Sequence, residues 1–124
     1  MTTAAKEKNR LRMGIFLIGV LVIMTATAIP IKEAVVPARY HLDKLVHVGM
    51  FAMLAGIGLR AVRVRTFLLA AGAVAVLSEF QQAFIPGRCV ALLDLVANLV
   101  GTGLGLVIFG RRRIRRERLP GGAQ

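Results

Sequence analysis

Four long apolar blocks constrain the fold of this chain more than any other feature of its sequence. They cover residues 13–29, 42–61, 66–85 and 90–109. A helix of about 20 residues crosses the hydrocarbon core of a bilayer. The blocks are apolar on every side, whereas a soluble four-helix bundle needs polar faces. With 56% hydrophobic residues among 124, the chain has more apolar surface than a soluble protein of this size buries. We therefore predict an all-α integral membrane bundle with four transmembrane helices.

The basic residues alternate between the two sides of such a bundle. Of the 17 lysines and arginines, 13 lie before the first block, at residues 60–65 where the second block ends and the third begins, or after the fourth. The other four are Lys32, Arg39, Lys44 and Arg88. Cytoplasmic loops of membrane proteins carry the excess of Lys and Arg. We therefore expect both termini inside, with a cytoplasmic basic arm at 1–12, a membrane domain at 13–109 and a cytoplasmic basic tail at 110–124.

Two further interpretations concern the basic segments. The arm at 1–12 is polar enough to be disordered, and a basic start, an apolar run and a small-residue triplet at 26–28 also resemble a cleavable signal peptide. In either case the following loop lies outside. The net charge of +11 does not indicate nucleic-acid binding, because no aromatic residues are interleaved with the arginines to stack on bases.

Polar residues at helical spacing lie inside three of the four spans. Asp43 and His47, Ser78 and Gln82, and Asp94 and Asn98 are each four residues apart and share a helical face. At about 1.5 Å per residue, Glu79 lies about 9 Å and Asn98 about 12 Å from the predicted outer ends of their spans, and His47 lies about one turn inside its own, so the pairs fall at a comparable depth. Because polar groups within a membrane are costly and usually functional, we expect them to converge, together with Glu79.

This predicted cluster is compatible with three roles. It fits a network that fixes helix order, a site for a polar head group, or acid–base chemistry with His47, Glu79 or Asp94 as catalytic candidates. The candidate ligand-binding residues are Asp43, Lys44, His47, Ser78, Glu79, Gln82, Arg88, Asp94 and Asn98. No ligand spacing typical of metal sites is present, so neither a metal nor a cofactor is expected.

Two smaller features complete the sequence. Cys89, the single cysteine, has no neighbouring base and is expected to be a small filler rather than a nucleophile. Gly101 and Gly105 form a small-xxx-small face at which helices approach closely. Their partner is either a neighbouring helix or another copy of the chain, so an oligomer or a membrane partner at this face is one expectation.

Four motifs occur in a fixed order along the chain. They are Asp43-Lys44-x-x-His47-x-x-x-Phe51-x-x-Leu54, Ser78-Glu79-x-x-Gln82, Pro86-Gly87-Arg88 and Asp94-x-x-x-Asn98-x-x-Gly101. Their order and spacing resemble the VanZ-like family of small bacterial membrane proteins, named after a protein accessory to teicoplanin resistance. The resemblance covers residues 43–107. Cys89 departs from the family, which often has Thr or Ser at that position.

The resemblance implies a multi-pass protein of the bacterial inner membrane with a role in the cell envelope or its response to antibiotics. Combined with the polar cluster, it leads us to expect a site for membrane lipids or a lipid-linked sugar, open to the outer leaflet. In that hypothesis Lys44 and Arg88 attract an anionic group. The alternatives are a membrane-embedded hydrolase or transferase acting on such lipids, and a small structural or partner-binding subunit.

Overall fold

The computed structural model describes residues 2–29, 42–85 and 92–111, and within these ranges every regular element is a helix. The helices are α1 (Thr3–Ala28), α2 (Leu42–Ala61), α3 (Val64–Gln82) and α4 (Leu92–Gly105), and α4 continues as a π-helical segment at Leu106–Gly110. All four are long and apolar enough to cross a membrane. The predicted all-α bundle with four spans is therefore confirmed.

The helix ends differ from the predicted ones mainly in α1. The expected disorder was wrong for residues 3–12, because α1 begins at Thr3. The segment contains Ala, Lys, Glu, Arg and Leu, which are strong helix formers. Once the apolar span has nucleated a helix, each such residue adds a hydrogen bond at low cost, so the helix extends through the basic arm.

The other boundaries lie close to the predicted ones. α2 has the predicted bounds, whereas α3 begins two residues earlier than expected and ends at Gln82, followed by a turn at residues 83–85. Within the predicted fourth span, Val90 and Ala91 fall outside the described residues and α4 is described from Leu92. Its last turn widens into the π-helical segment at Leu106–Gly110.

Side-chain contacts define the directions of the helices. Phe16 in α1 packs edge-to-face on Phe67 in α3, and Gln81 near the end of α3 donates a hydrogen bond to the Met24 carbonyl near the end of α1. These helices therefore run in the same direction. α2 runs against α3, to which it is joined by a two-residue turn at 62–63. α2 and α4 are parallel and make the most extensive helix–helix contact.

The core of the bundle is apolar and rich in phenylalanine. Phe51, Leu54 and Phe67 are almost completely buried, and the Phe16–Phe67 pair lies against Gly58, where a Cβ atom would collide with both rings. Many other large apolar side chains, Leu69 and Leu92 among them, remain exposed. Because lipid chains are as apolar as leucine, a membrane covers these outer faces without cost.

The two ends of the bundle carry opposite charge. We call the end formed by the last turns of α1 and α3 and the first turns of α2 and α4 the polar end, and the opposite one the basic end. Among the described residues the basic end holds Lys6, Lys8, Arg10, Arg12, Arg60, Arg63, Arg65 and Arg111. The polar end holds Asp43, Glu79, Asp94 and a single described cation, Lys44.

Candidate functional site

The polar side chains within the helices face the interior of the bundle at its polar end. His47 on α2, Ser78, Glu79 and Gln82 on α3, and Asp94 and Asn98 on α4 are all buried. At about 1.5 Å per residue, His47, Glu79 and Asn98 lie about 5–9 Å from the ends of their helices. The helices thus bring their polar positions to one common depth.

Lys44 links α2 to α4 through an ion pair. Its Nζ donates to Asp94 Oδ1 at 2.6 Å and to Asp43 Oδ2 at 3.0 Å. The Lys44–Asp94 pair is largely shielded, with side-chain exposures of 23% and 12%, whereas the Asp43 side chain is 54% exposed. Asp43 therefore lies at the rim of the site, and its hydrogen bond goes to Lys44 rather than to His47 one turn further along.

One turn deeper, His47 on α2 is joined to Asn98 on α4. The His47 Nδ1 to Asn98 Oδ1 distance is 2.8 Å, and both residues are buried. With Nδ1 protonated, the ring donates to the amide oxygen, and Nε2 of the neutral ring retains its lone pair. Asn98 therefore fixes the orientation of the ring.

Two buried amide groups keep donors without a hydrogen-bond partner among the described residues. They are Gln82 Nε2 and Asn98 Nδ2, on side chains that are 1% and 0% exposed. A buried N–H left without a partner costs about 1–3 kcal/mol. Two such donors at the same end of one small bundle are more than helix packing requires, so this end contains hydrogen-bonding capacity that the described residues do not use.

Other hydroxyl and amide groups serve the helices themselves. Ser78 Oγ donates to the Ala75 carbonyl and Thr102 Oγ1 to the Asn98 carbonyl, the local bonds that Ser and Thr form in helices. Gln81 bridges α3 to α1. Our candidate set omitted Gln81 and Thr102. For Thr102, its spacing of four residues from Asn98 was an available signal, whereas nothing in the sequence indicates that Gln81 reaches Met24.

Gly101 and Gly105 pack against α2 of the same chain. A Cβ at Gly101 would meet the Val48 carbonyl oxygen, and one at Gly105 would meet Ala55 Cβ. The sequence left open whether this face packs on a neighbouring helix or on another copy of the chain. In the structure it packs on the neighbouring helix α2. The expectation of an oligomer or a membrane partner stays a prediction.

The structure changes the expected role of Lys44. Because its ammonium is already engaged by two carboxylates, Lys44 is not available to attract an anion while those contacts hold. Arg88 and Cys89, together with the Pro86-Gly87 turn, lie outside the described residues. Within the described ranges, no three His, Cys, Asp or Glu side chains are grouped so as to hold a metal ion.

Comparison with known proteins shows the family of this chain. No curated protein and no solved structure matches the chain. A family model does match, and it covers residues 3–113. The matched region reaches from the first residue of α1 past the end of α4, well beyond the stretch at 43–107 whose motifs carry the resemblance. The family in question is described as VanZ/LLP1, and this chain belongs to it.

Proposed function

We propose that the polar end of this bundle binds the head group of an envelope lipid or of a lipid-linked sugar. One observation carries the proposal: Gln82 and Asn98 are fully buried, yet each keeps an amide N–H without a partner among the described residues. Unsatisfied donors destabilise a protein unless a ligand uses them. The oxygen atoms of a lipid head group or of a sugar are suitable acceptors.

The orientation that we propose for the protein is supported by the distribution of its charges. We place the basic end in the cytoplasm and the polar end at the outer leaflet of the bacterial inner membrane. The support is that eight of the nine described lysines and arginines lie at the basic end, as the positive-inside rule requires. In this orientation the site meets lipids and lipid-linked precursors on the side where the envelope is assembled, which suits a role in the envelope or its response to antibiotics.

The experiment compares lipids that co-purify with the full-length protein and with two variants. Gln82→Met removes, at similar volume, a donor that has no partner among the described residues, and Thr102→Val removes a hydroxyl whose described hydrogen bond lies within α4. We expect native mass spectrometry in a mild detergent to show a bound lipid or lipid-linked sugar on the wild type and on Thr102→Val. The adduct should be lost or strongly reduced on Gln82→Met.

Thermal unfolding of the same samples separates a binding role from a packing role. If Gln82 serves the ligand, Gln82→Met unfolds at an equal or higher temperature once lipid is removed, because a buried unpaired donor has gone. Equal lipid retention by all three proteins, or no lipid on any of them, would contradict the proposal and favour a polar network that fixes helix order.

A second candidate is a membrane-embedded hydrolase or transferase acting on the same lipids. The observation that favours it is the His47–Asn98 contact at 2.8 Å, since a base held by a third group is the usual arrangement for activating a nucleophile. It predicts turnover of a lipid-linked substrate that His47→Gln abolishes, with a pH–rate profile that reports titration of the base. A His47→Gln variant that binds lipid but turns over no less than wild type excludes His47 as that base.

A further inference from the structure

We infer that the preferred head group has a primary ammonium next to a phosphate, as phosphoethanolamine does. This inference rests on the proposed function, because it names the chemistry of the ligand at the same site. It starts from the ion-paired group formed by Asp43, Lys44 and Asp94, in which one ammonium is shared by two carboxylates.

The arrangement around Lys44 is already a site for a primary ammonium. Lys44 Nζ lies 3.0 Å from Asp43 Oδ2 and 2.6 Å from Asp94 Oδ1. An –NH3⁺ group has three donors and no acceptor, so it can serve both carboxylates together. With both carboxylates ionised, the group has one negative charge in excess. A second cation is therefore attracted to it, whereas an anion is repelled as long as Lys44 stays in place.

A head group that has both an ammonium and a phosphate can bind by exchanging ion-pair partners with Lys44. The ammonium of the ligand takes the place of Lys44 between Asp43 and Asp94, and the released Lys44 pairs with the phosphate of the ligand. Each cation has an anionic partner before and after the exchange, and the excess of one negative charge does not change. Lys44 is suited to this movement because its side chain is flexible and still 23% exposed, so its ammonium can reach the membrane surface.

The depth of the next donor fits the rest of a phospholipid. Asn98 lies four residues after Asp94 on the same face of α4, about 6 Å deeper, and its Nδ2 has no partner among the described residues. Ester carbonyls of a phospholipid lie deeper in the membrane than its head group. An N–H at this depth is therefore placed to bind one of these oxygens while the ammonium contacts the carboxylates at the rim.

The test is a competition between lipids that differ only in their head groups. Delipidated full-length protein in detergent is mixed with equal amounts of phosphatidylethanolamine, phosphatidylcholine and phosphatidylglycerol that have identical acyl chains, and adducts are counted by native mass spectrometry. Choline has no N–H to donate and glycerol has no cation. Hydrogen bonds to charged groups are strong enough that we expect about tenfold more ethanolamine adduct than choline adduct on the wild type.

The variants assign this preference to the carboxylates. Asp94→Asn should bring the ethanolamine-to-choline ratio close to one, whereas the control Thr102→Val keeps it. If Asp94→Asn does not fold, Asp43→Asn, at the exposed rim, should lower the same ratio. Competition by water-soluble glycerophosphoethanolamine shows whether the head group alone is recognised or the whole lipid is required. Displacement of the lipid at millimolar concentration indicates the head group alone, and no displacement indicates the acyl-linked lipid. Either result keeps the inference.

Four results have a clear negative meaning. Equal binding of the ethanolamine and choline lipids by the wild type would overturn the inference, and so would a preference for phosphatidylglycerol, which would identify an anion site. Both leave the proposed lipid-binding function standing. A ratio unchanged in Asp94→Asn and Asp43→Asn would place the ammonium elsewhere and also overturn the inference. Absence of any lipid adduct would instead reject the proposed function itself.

Discussion

The interface between α2 and α4 is held together differently in its two halves. In the polar half, Lys44 pairs with Asp94 and His47 with Asn98. In the glycine half, Gly101 and Gly105 bring the backbone of α4 against that of α2, next to Val48 and Ala55. Both halves belong to the same pair of parallel helices, so they differ in their contacts and not in the helices that form them.

The contrast separates groups that build the bundle from groups available for other work. In the glycine half α4 already lies directly against α2, since a Cβ added at Gly101 or Gly105 would collide with α2. In the polar half, by contrast, the Asn98 amide still has an N–H without a described partner, and Lys44 is shared between two carboxylates. Helix packing accounts fully for the first half and only partly for the second, which is where we place ligand binding.

The largest effect is expected from breaking the glycine half. Gly105→Leu places a side chain where Ala52 and Ala55 of α2 already lie, so α4 has to move away from α2. We expect a loss of about 3 kcal/mol or more in the free energy of unfolding, measured by thermal or denaturant unfolding in detergent. The matched control is Gly103→Ala on the same helix, where a Cβ meets nothing within 4 Å; it should stabilise the protein by up to about 1 kcal/mol.

The ion pair of the polar half should give the next largest effect. Lys44→Met leaves the mostly buried Asp94 carboxylate without its cation, and we expect a loss of about 2 kcal/mol, below the value for a fully buried pair because both groups retain some exposure. Lys44→Met combined with Asp94→Leu should recover most of this loss. A double variant as unstable as the sum of the single ones would show that the pair contributes nothing across the interface.

The His47–Asn98 contact tests the polar half at a greater depth. Asn98→Leu should cost about 1–2 kcal/mol because His47 Nδ1 loses its buried partner. The additional change His47→Leu should restore stability towards that of the wild type. A coupling energy of about 1 kcal/mol in this double-mutant cycle would be consistent with a direct bond, and additive losses would contradict it.

The smallest effect is expected where the glycine half reaches the π-helical segment. A Cβ at Gly56 would lie 3.0 Å from the ring of Phe109, which is only partly buried. The ring can turn aside by a few tenths of an ångström, so Gly56→Ala should cost less than about 1 kcal/mol. A loss as large as that of Gly105→Leu would mean that the π-helical segment is packed as rigidly as the rest of α4.

The sequence predicted the helices well because a bilayer requires long apolar blocks. The bounds of α2 were correct, since Asp43 and Arg60 mark its two ends. The first turns of α1 were missed because polarity was interpreted as disorder, although helix propensity favoured a helix through Lys6 and Arg12. Neither the apolar pattern nor propensity indicates the π-helical segment at Leu106–Gly110.

The polar residues could be predicted as a group but not as pairs. Their spacing of four residues placed His47 and Asn98 on inward faces at similar depth, and they do meet. Four alternating spans imply that α2 and α4 run in the same direction, but the sequence could not show that these two helices contact each other, since helices in contact need not be neighbours in the chain. For that reason the Lys44–Asp94 pair was one of several open pairings, and Lys44 was expected to be available to an anion.

The parallel arrangement of α2 and α4 also has a consequence for biogenesis. Lys44 and His47 are synthesised 50 and 51 residues before Asp94 and Asn98, and chains are made from the N-terminus onwards. Until α4 emerges from the ribosome, α2 has a lysine and a histidine within a segment bound for hydrocarbon, where such groups are costly. We therefore expect stable release of α2 into lipid to depend on α4, and a nascent chain arrested after α3 should stay at the insertion machinery.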